Sequence, residues 1–339
     1  MFPWLAHSRR KALPIMRLLL VNLLVAGLSS ALCILGIEVF HRFKAPYRAF
    51  SGAYELTQFR QGAGSGLSTF VVDPDFGFRP VLGDGPYTRF GTLANDYAAA
   101  KTTGVSRLLF IGDSVTHRGH IIDALRAEYG SQQYEYWNAG VESFNTMQEV
   151  EYYRRFNRLI RPDHVILTFH LNDFETTPVA FRDTDGTLVV FAPNWPVRRL
   201  NRWLFQHSYT YRYWLGLVTP KKTARTEIIS EVRGSLADLE HMVTVDGAQL
   251  TVLVLPILQP VSDWKPEYRE YRRLILDLLA SLRIRYFDLL EPLHKALTDG
   301  VSVAETGDNL FWHPSRDAAL YFSQYLRTQH FLDGMGVSP

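Results

Sequence analysis

Ser114 sits where an apolar run ends and a turn begins. The run Arg107-Leu108-Leu109-Phe110-Ile111 reads as a buried strand, and Gly112-Asp113-Ser114-Val115 follows it directly. At the carboxyl end of a parallel strand, beside a helix N-terminus, a serine can expose its hydroxyl where backbone N–H groups point outward. A serine hydroxyl is a poor nucleophile until a neighbouring base takes its proton. Of the eleven histidines, His313 in Trp312-His313-Pro314 is the candidate base. It lies in the loop after the last strand, at the sheet end where α/β proteins gather their active-site loops. Ser315 can start the final helix, which holds the histidine just ahead of a helix N-terminus. A serine and a base so placed would do acyl transfer through an acyl-Ser114.

The elements that must position these residues alternate. Strands are expected at 107–111, 134–138, 164–169, 249–256 and 285–289, and helices at 118–129, 146–160, 227–244, 267–282 and 316–331. Alternation at this spacing implies a parallel sheet covered on both faces. The run His164-Val165-Ile166-Leu167-Thr168-Phe169 is nearly continuous in apolar residues, as a doubly covered strand should be. No internal repeat or low-complexity tract is present.

Two further motifs lie in order between the serine and the histidine: Asn138-Ala139-Gly140 and His170-Leu171-Asn172-Asp173. With these four pieces the chain, over roughly residues 105–330, resembles the SGNH (GDSL-type) hydrolase superfamily. In particular it resembles membrane-anchored members associated with O-acyl chemistry on envelope or exported polysaccharide. The resemblance implies a flavodoxin-like three-layer sandwich with a five-stranded parallel sheet. It also implies an oxyanion hole made by the backbone N–H groups of Ser114 and Gly140 and the side-chain amide of Asn172. A glycine at 140 suits close approach of backbone to substrate.

In one respect the chain departs from the pattern. The family usually carries Asp three residues before the catalytic His, and here that residue is Leu310. Asp308 lies five before and Glu305 eight before. A loop bulge can bring Asp308 to His313 Nδ1; otherwise the pair works as a dyad. Asp113, next to the nucleophile, is expected to anchor the turn by hydrogen bonds.

Composition narrows the rest. A net charge of +2 gives no bulk electrostatic case for nucleic acid. Cys33 is the one cysteine, so an intrachain disulfide and a cysteine-type zinc site are excluded. His117 and His120 have no acidic partner at ligand spacing, and neither a metal nor a cofactor is expected.

Residues 18–37 carry no charged side chain and are long enough to cross a bilayer as helix. Arg9, Arg10, Lys11 and Arg17 precede them, and Arg42, Lys44 and Arg48 follow, with Glu38 between. The narrow balance favours a cytoplasmic N-terminus, and the expectation is a single-pass anchor in the inner membrane with the catalytic domain on the periplasmic side. A cleaved signal peptide is the competing reading. The expected organisation is a cytoplasmic N-terminus over 1–17, the anchor over 18–37, and a linker and lead-in over 38–105. The hydrolase domain follows over 106–332 with an insert at 174–226, then a tail over 333–339.

From Gly186 to Thr226 the insert holds seven Lys or Arg and no Asp or Glu, with Trp195, Trp203 and Trp214. Apolar positions recur at helical spacing, so a basic amphipathic helix is expected. Arg198, Arg202 and Trp203 are candidate substrate-binding residues, if the segment lies over the mouth of the site. The reading is a serine esterase that removes or transfers O-acyl or O-acetyl groups on a glycan. Its rivals are an O-acyltransferase, a lipid or lysophospholipid esterase, or an inactive scaffold among polysaccharide-biosynthesis partners in the membrane.

Overall fold

The computed structural model of the chain describes residues 5–43, 53–55, 70–182, 188–191, 203–204, 207–218 and 225–333. The strands are β1 (Ala53–Glu55), β2 (Phe70–Asp73), β3 (Gly77–Pro80), β4 (Ser106–Gly112), β5 (Tyr134–Gly140), β6 (His164–His170), β7 (Val179–Arg182), β8 (Leu188–Phe191), β9 (Gln249–Leu255) and β10 (Arg285–Asp288). The helices are α1 (Leu5–Phe43), α2 (Ser114–Arg118), α3 (His120–Tyr129), α4 (Thr146–Arg155), α5 (Tyr209–Val218), α6 (Arg225–Val245), α7 (Pro266–Leu282), α8 (Leu290–Thr298) and α9 (Arg316–Thr328).

Five strands form one parallel sheet in the order β5-β4-β6-β9-β10. This is the flavodoxin-type order, and its switch point lies between β4 and β6. Side chains alternate across the sheet as the strand period demands. Leu108 and Phe110 face a core closed by α2, α3, α8 and α9, whereas Leu109 and Ile111 face one closed by α4, α6 and α7. Three layers result. The register sets Gly112 of β4 level with Gly140 of β5 and Thr168 of β6, so the segments that leave these strands start at one edge.

Local chemistry explains where the elements depart from the expected ones. The helix expected at 118–129 is broken at Gly119, whose φ of 78° ends α2 and begins α3. The helix expected at 146–160 starts at an Asn145–Gln148 capping box, stops at Arg155 and continues as a 3₁₀ turn over Asn157–Ile160. Helix α8 was not expected. The insert contributes a hairpin, β7–β8, to which β1 adds antiparallel, where only a helix was anticipated.

The lead-in contains a hairpin of its own. Strands β2 and β3 form a hairpin whose Phe76 and Phe78 pack with Phe144 and Tyr152 into a third cluster, and Arg79 and Arg155 both pair with Asp73 at 3.2 Å. The glycine-rich run Gly62-Ala63-Gly64-Ser65-Gly66 of the linker and residues 334–339 lie outside the described residues. Within α1, the span Arg17–Phe43 contains an 18-residue window of mean hydropathy 2.4, none of it buried, so among the described residues there is one helix long and apolar enough to cross a membrane.

Candidate active site

Strand β4 ends in Gly112, where any Cβ would meet Thr116 Oγ1 at 2.2 Å. That close approach lets the chain turn at once into α2. Asp113 caps the helix, accepting the Val115 N–H at 2.9 Å, and Ser114 becomes its first residue. Anchoring the turn is the place expected for Asp113.

The structure brings Ser114, His313 and Asp308 together. His313 Nε2 lies 2.9 Å from Ser114 Oγ, and His313 Nδ1 lies 3.2 Å from Asp308 Oδ2. The bulge that permits this is centred on Phe311, which adopts a left-handed φ of 58°. The loop folds back so that Asp308 Oδ2 accepts the N–H groups of Trp312 at 2.8 Å and His313 at 2.7 Å, while Oδ1 accepts that of Leu310 at 3.0 Å. Burial raises the Asp308 pKa, but the N–H groups of His313, Leu310 and Trp312 outweigh it and hold the carboxyl below its usual range. Leu310, at the family's customary acid position, is 57% exposed.

The loop is also tied to the nucleophile's own helices. Glu305 pairs with Arg118 at 3.1 Å and with His120 at 3.3 Å. His120 Nδ1 donates to the Pro314 carbonyl at 2.9 Å. Ser315 caps α9 by accepting the Ala318 N–H at 3.0 Å, as expected from its place after His313-Pro314. His117 turns elsewhere, with Nδ1 at 2.9 Å from the Tyr87 hydroxyl, so the two histidines of α2 and α3 do not converge.

Asn172 sits on the 3₁₀ turn Leu171–Asp173 just beyond β6 and lines the same pocket as Ser114. His170 orients it. His170 Nδ1 lies 2.6 Å from Asn172 Oδ1, so the nitrogen carries the proton and donates. The 3.5 Å approach of the Asn172 N–H to that same nitrogen is then too long to count as a bond. Burial pushes the His170 pKa down to about 4, which keeps the ring neutral. With its oxygen taken by His170, the Asn172 amide has its NH₂ group left to offer.

Gly140 has a different job from the expected one. Its N–H donates to Asn138 Oδ1 at 2.9 Å, and it does not line the pocket. A Cβ at this position would meet the His117 nitrogen at 2.2 Å, so glycine is required here for packing under α2, not for approach to substrate. The pocket wall three residues on is Ser143, with a left-handed φ of 63° and a backbone N–H that has no partner among the described residues. No sequence signal marks Ser143, because left-handed positions are ordinarily betrayed by glycine. The N–H of Ser114 is likewise unpartnered among the described residues.

The pocket has a volume of about 240 Å³. Phe144, Pro178 and Trp312 give it apolar walls, and Asn145 and Gln148 line it with amides. Gln148 is held by donating to the Phe76 carbonyl at 2.7 Å, which ties the lead-in hairpin to the site. Three carboxyls lie buried nearby. Asp113, Glu149 and Asp173 are each no more than 3% exposed, and burial raises all three pKa values, Asp113 to about 7. Of the candidate substrate-binding residues, Arg198 and Arg202 fall outside the described residues. Trp203 stacks on His207 at 4.8 Å and does not line the pocket.

No family model matches the chain, and no curated protein matches it. Solved structures do. Axe2, an acetylxylan esterase from Geobacillus stearothermophilus, is 15% identical, with 67% of this chain and 95% of that one covered and a TM-score of 0.42. LAE5, an alpha/beta hydrolase from the metagenome of Lake Arreo, Spain, is 14% identical, with 69% and 99% covered and a TM-score of 0.45. In the order of its motifs, and in the sheet edge at which its fold gathers three of the four, the chain resembles the SGNH hydrolases.

Proposed function

We propose that the protein is a membrane-anchored serine esterase of the SGNH type, acting on O-acyl groups of a cell-envelope or exported polysaccharide. The observation that carries this reading is His313 bridging Ser114 Oγ and Asp308 Oδ2, at 2.9 and 3.2 Å. An imidazole so held can take the hydroxyl proton on Nε2 while Asp308 fixes the tautomer through Nδ1 and stabilises the imidazolium. Ser114 Oγ attacks the acyl carbonyl. The N–H groups of Ser114 and Ser143 and the Asn172 amide receive the oxyanion. His313 then returns the proton to the departing alkoxide oxygen, leaving an acyl-Ser114 that water or a sugar hydroxyl resolves by the reverse sequence.

The pocket favours a small acyl group. Its volume of about 240 Å³ lies below the ~300–1,000 Å³ of sites for drug-sized ligands and is ample for an acetyl group. Leu310, the feature that supports an inactive scaffold, loses that force once Asp308 stands on His313. The helix over Arg17–Phe43 supports anchoring, and the charges before it favour a catalytic domain on the outer face of the inner membrane. There it would work beside polysaccharide-biosynthesis partners. Incubation with p-nitrophenyl acetate tests the chemistry. The wild-type chain should release nitrophenolate and Ser114→Ala should not; equal rates from the two would end the proposal.

A further inference from the structure

From Leu18 to Ile37 every side chain of α1 is exposed. Near its C-terminal end this changes. Glu38 Oε1 accepts the Tyr209 N–H at 2.8 Å, and Oε2 accepts the Thr210 N–H at 3.0 Å and the Ser208 hydroxyl at 2.9 Å. Arg42 lies 3.3 Å from Glu38 and 5.0 Å over the Tyr209 ring. His41 meets the Tyr213 ring edge-on at 4.4 Å. A carboxylate 171 residues away in sequence from Tyr209 thus satisfies the first N–H groups of α5 and opposes the positive end of its dipole. Helix α5 starts where the apolar span stops.

The surface at this junction is aromatic. Trp203, Tyr213 and Trp214 are 57%, 43% and 52% exposed, and Phe40 and Phe43 on α1 are 58% and 86% exposed. Exposed tryptophan at this density is unusual on a surface that meets only water. Tryptophan and tyrosine favour the headgroup layer, where the ring is buried and its polar edge is wet. Helices that lie in that layer pair an aromatic face with basic residues. The stretch from Gly186 to Thr226, with seven Lys or Arg and no acid, has that composition.

We infer that α5 lies in the headgroup layer of the bilayer that α1 spans, pinned there by Glu38, with Trp203, Tyr213 and Trp214 against lipid. The inference rests on α1 being the membrane span. It gives the insert a membrane-facing role in place of one over the pocket mouth.

Spin labels read this depth directly. The full chain, with Cys33→Ser, is placed in vesicles of phosphatidylcholine and phosphatidylglycerol. A nitroxide is attached in turn to Leu28→Cys, Trp203→Cys, Trp214→Cys and Leu159→Cys, and its accessibility to oxygen and to a nickel chelate is measured. Leu28 should be oxygen-rich and nickel-poor, and Leu159, 63% exposed, should be nickel-rich. Labels at 203 and 214 should admit nickel several-fold less than the label at 159. If they match 159 while 28 lies deep, the inference falls and the anchor stands. If 28 itself admits nickel, both fall. Shielding at 203 and 214 that persists in detergent without lipid, with spin–spin broadening, would point to a second copy of the chain and overturn the assignment to lipid. Glu38→Ala should raise nickel access at 214 several-fold and leave p-nitrophenyl acetate turnover unchanged; unaltered access would show that Glu38 does not pin the helix.

Discussion

Asp308 and Glu149 are the same functional group in two opposite settings around one serine. Asp308, in a surface loop, has three backbone N–H donors and the His313 ring, and its pKa is held down. Glu149, in the first turn of α4, has no hydrogen-bond partner on either oxygen among the described residues. Burial first, and the charge of Asp113 second, raises its pKa well above the usual range. Among the described residues, Asp173 accepts only the His170 N–H on one oxygen and has no partner on the other, and its pKa is also raised. Preorganised donors, rather than distance from the nucleophile, decide which carboxyl can serve as the anion of a triad.

The largest effect should come from removing either end of the His313 bridge. Ser114→Ala and His313→Ala should each cost ~10³-fold or more in kcat with native circular dichroism, and the double variant should be little worse than the worse single one. Substantial turnover by either would break the charged side of the comparison. Glu149→Gln probes the neutral side. A carboxyl with a raised folded pKa contributes stability below about pH 4.5 that is lost as pH rises toward the folded value. The variant cannot ionise, so its thermal midpoint should exceed wild type at pH 8, by about 1–3 kcal/mol in stability, and the gain should vanish near pH 4. A constant difference across pH would mean that Glu149 is already ionised in the fold.

His170 sharpens the comparison from the acid limb. Its folded pKa of about 4 lies below the ordinary histidine value of 6.5, so the unfolded chain binds the extra proton first. Stability should fall as pH drops from 6.5 toward 4, by on the order of 3 kcal/mol. His170→Gln should flatten that slope in urea titrations at stepped pH; an unchanged slope would mean that the ring is already charged. The smallest effect belongs to Leu310. Its side chain points to solvent while Asp308 already occupies His313, so Leu310→Asp should change turnover by no more than a few-fold. A large gain would show that the loop prefers the customary geometry.

The central strands β4, β6 and β9 were legible because burial on both faces leaves nearly continuous apolar runs, and all five strands appear within a few residues of their expected bounds. Ser114 was legible because a strand end followed by Gly-Asp-Ser marks the turn itself, and Ser315 because helix caps are local. What escaped depends on backbone placed by the tertiary fold. Asp308 and the need for a bulge were legible, but the bulge's centre was not, because Phe311, a non-glycine residue at positive φ, leaves no mark in composition. Ser143 is hidden for the same reason, and Gly140 is misleading because one residue type serves both close packing and close approach to substrate. Glu149 and Asp173 join Asp113 only through α4 and the turn after β6. The insert hairpin was missed because its partner strand, β1, lies far away beyond the lead-in.

One assay tests the division between the two carboxyls most directly: kcat for p-nitrophenyl acetate, measured side by side for wild type, Asp308→Asn and Glu149→Gln at pH 7.5. Asp308→Asn should lose ~10²–10⁴-fold, because the tautomer and the charge that support the imidazolium are gone. Glu149→Gln should stay within a few-fold of wild type. If Asp308→Asn keeps its turnover, the site works as a Ser114–His313 dyad and the role given to the bulged loop is wrong; a collapse in Glu149→Gln alone would place the working anion in the buried cluster instead.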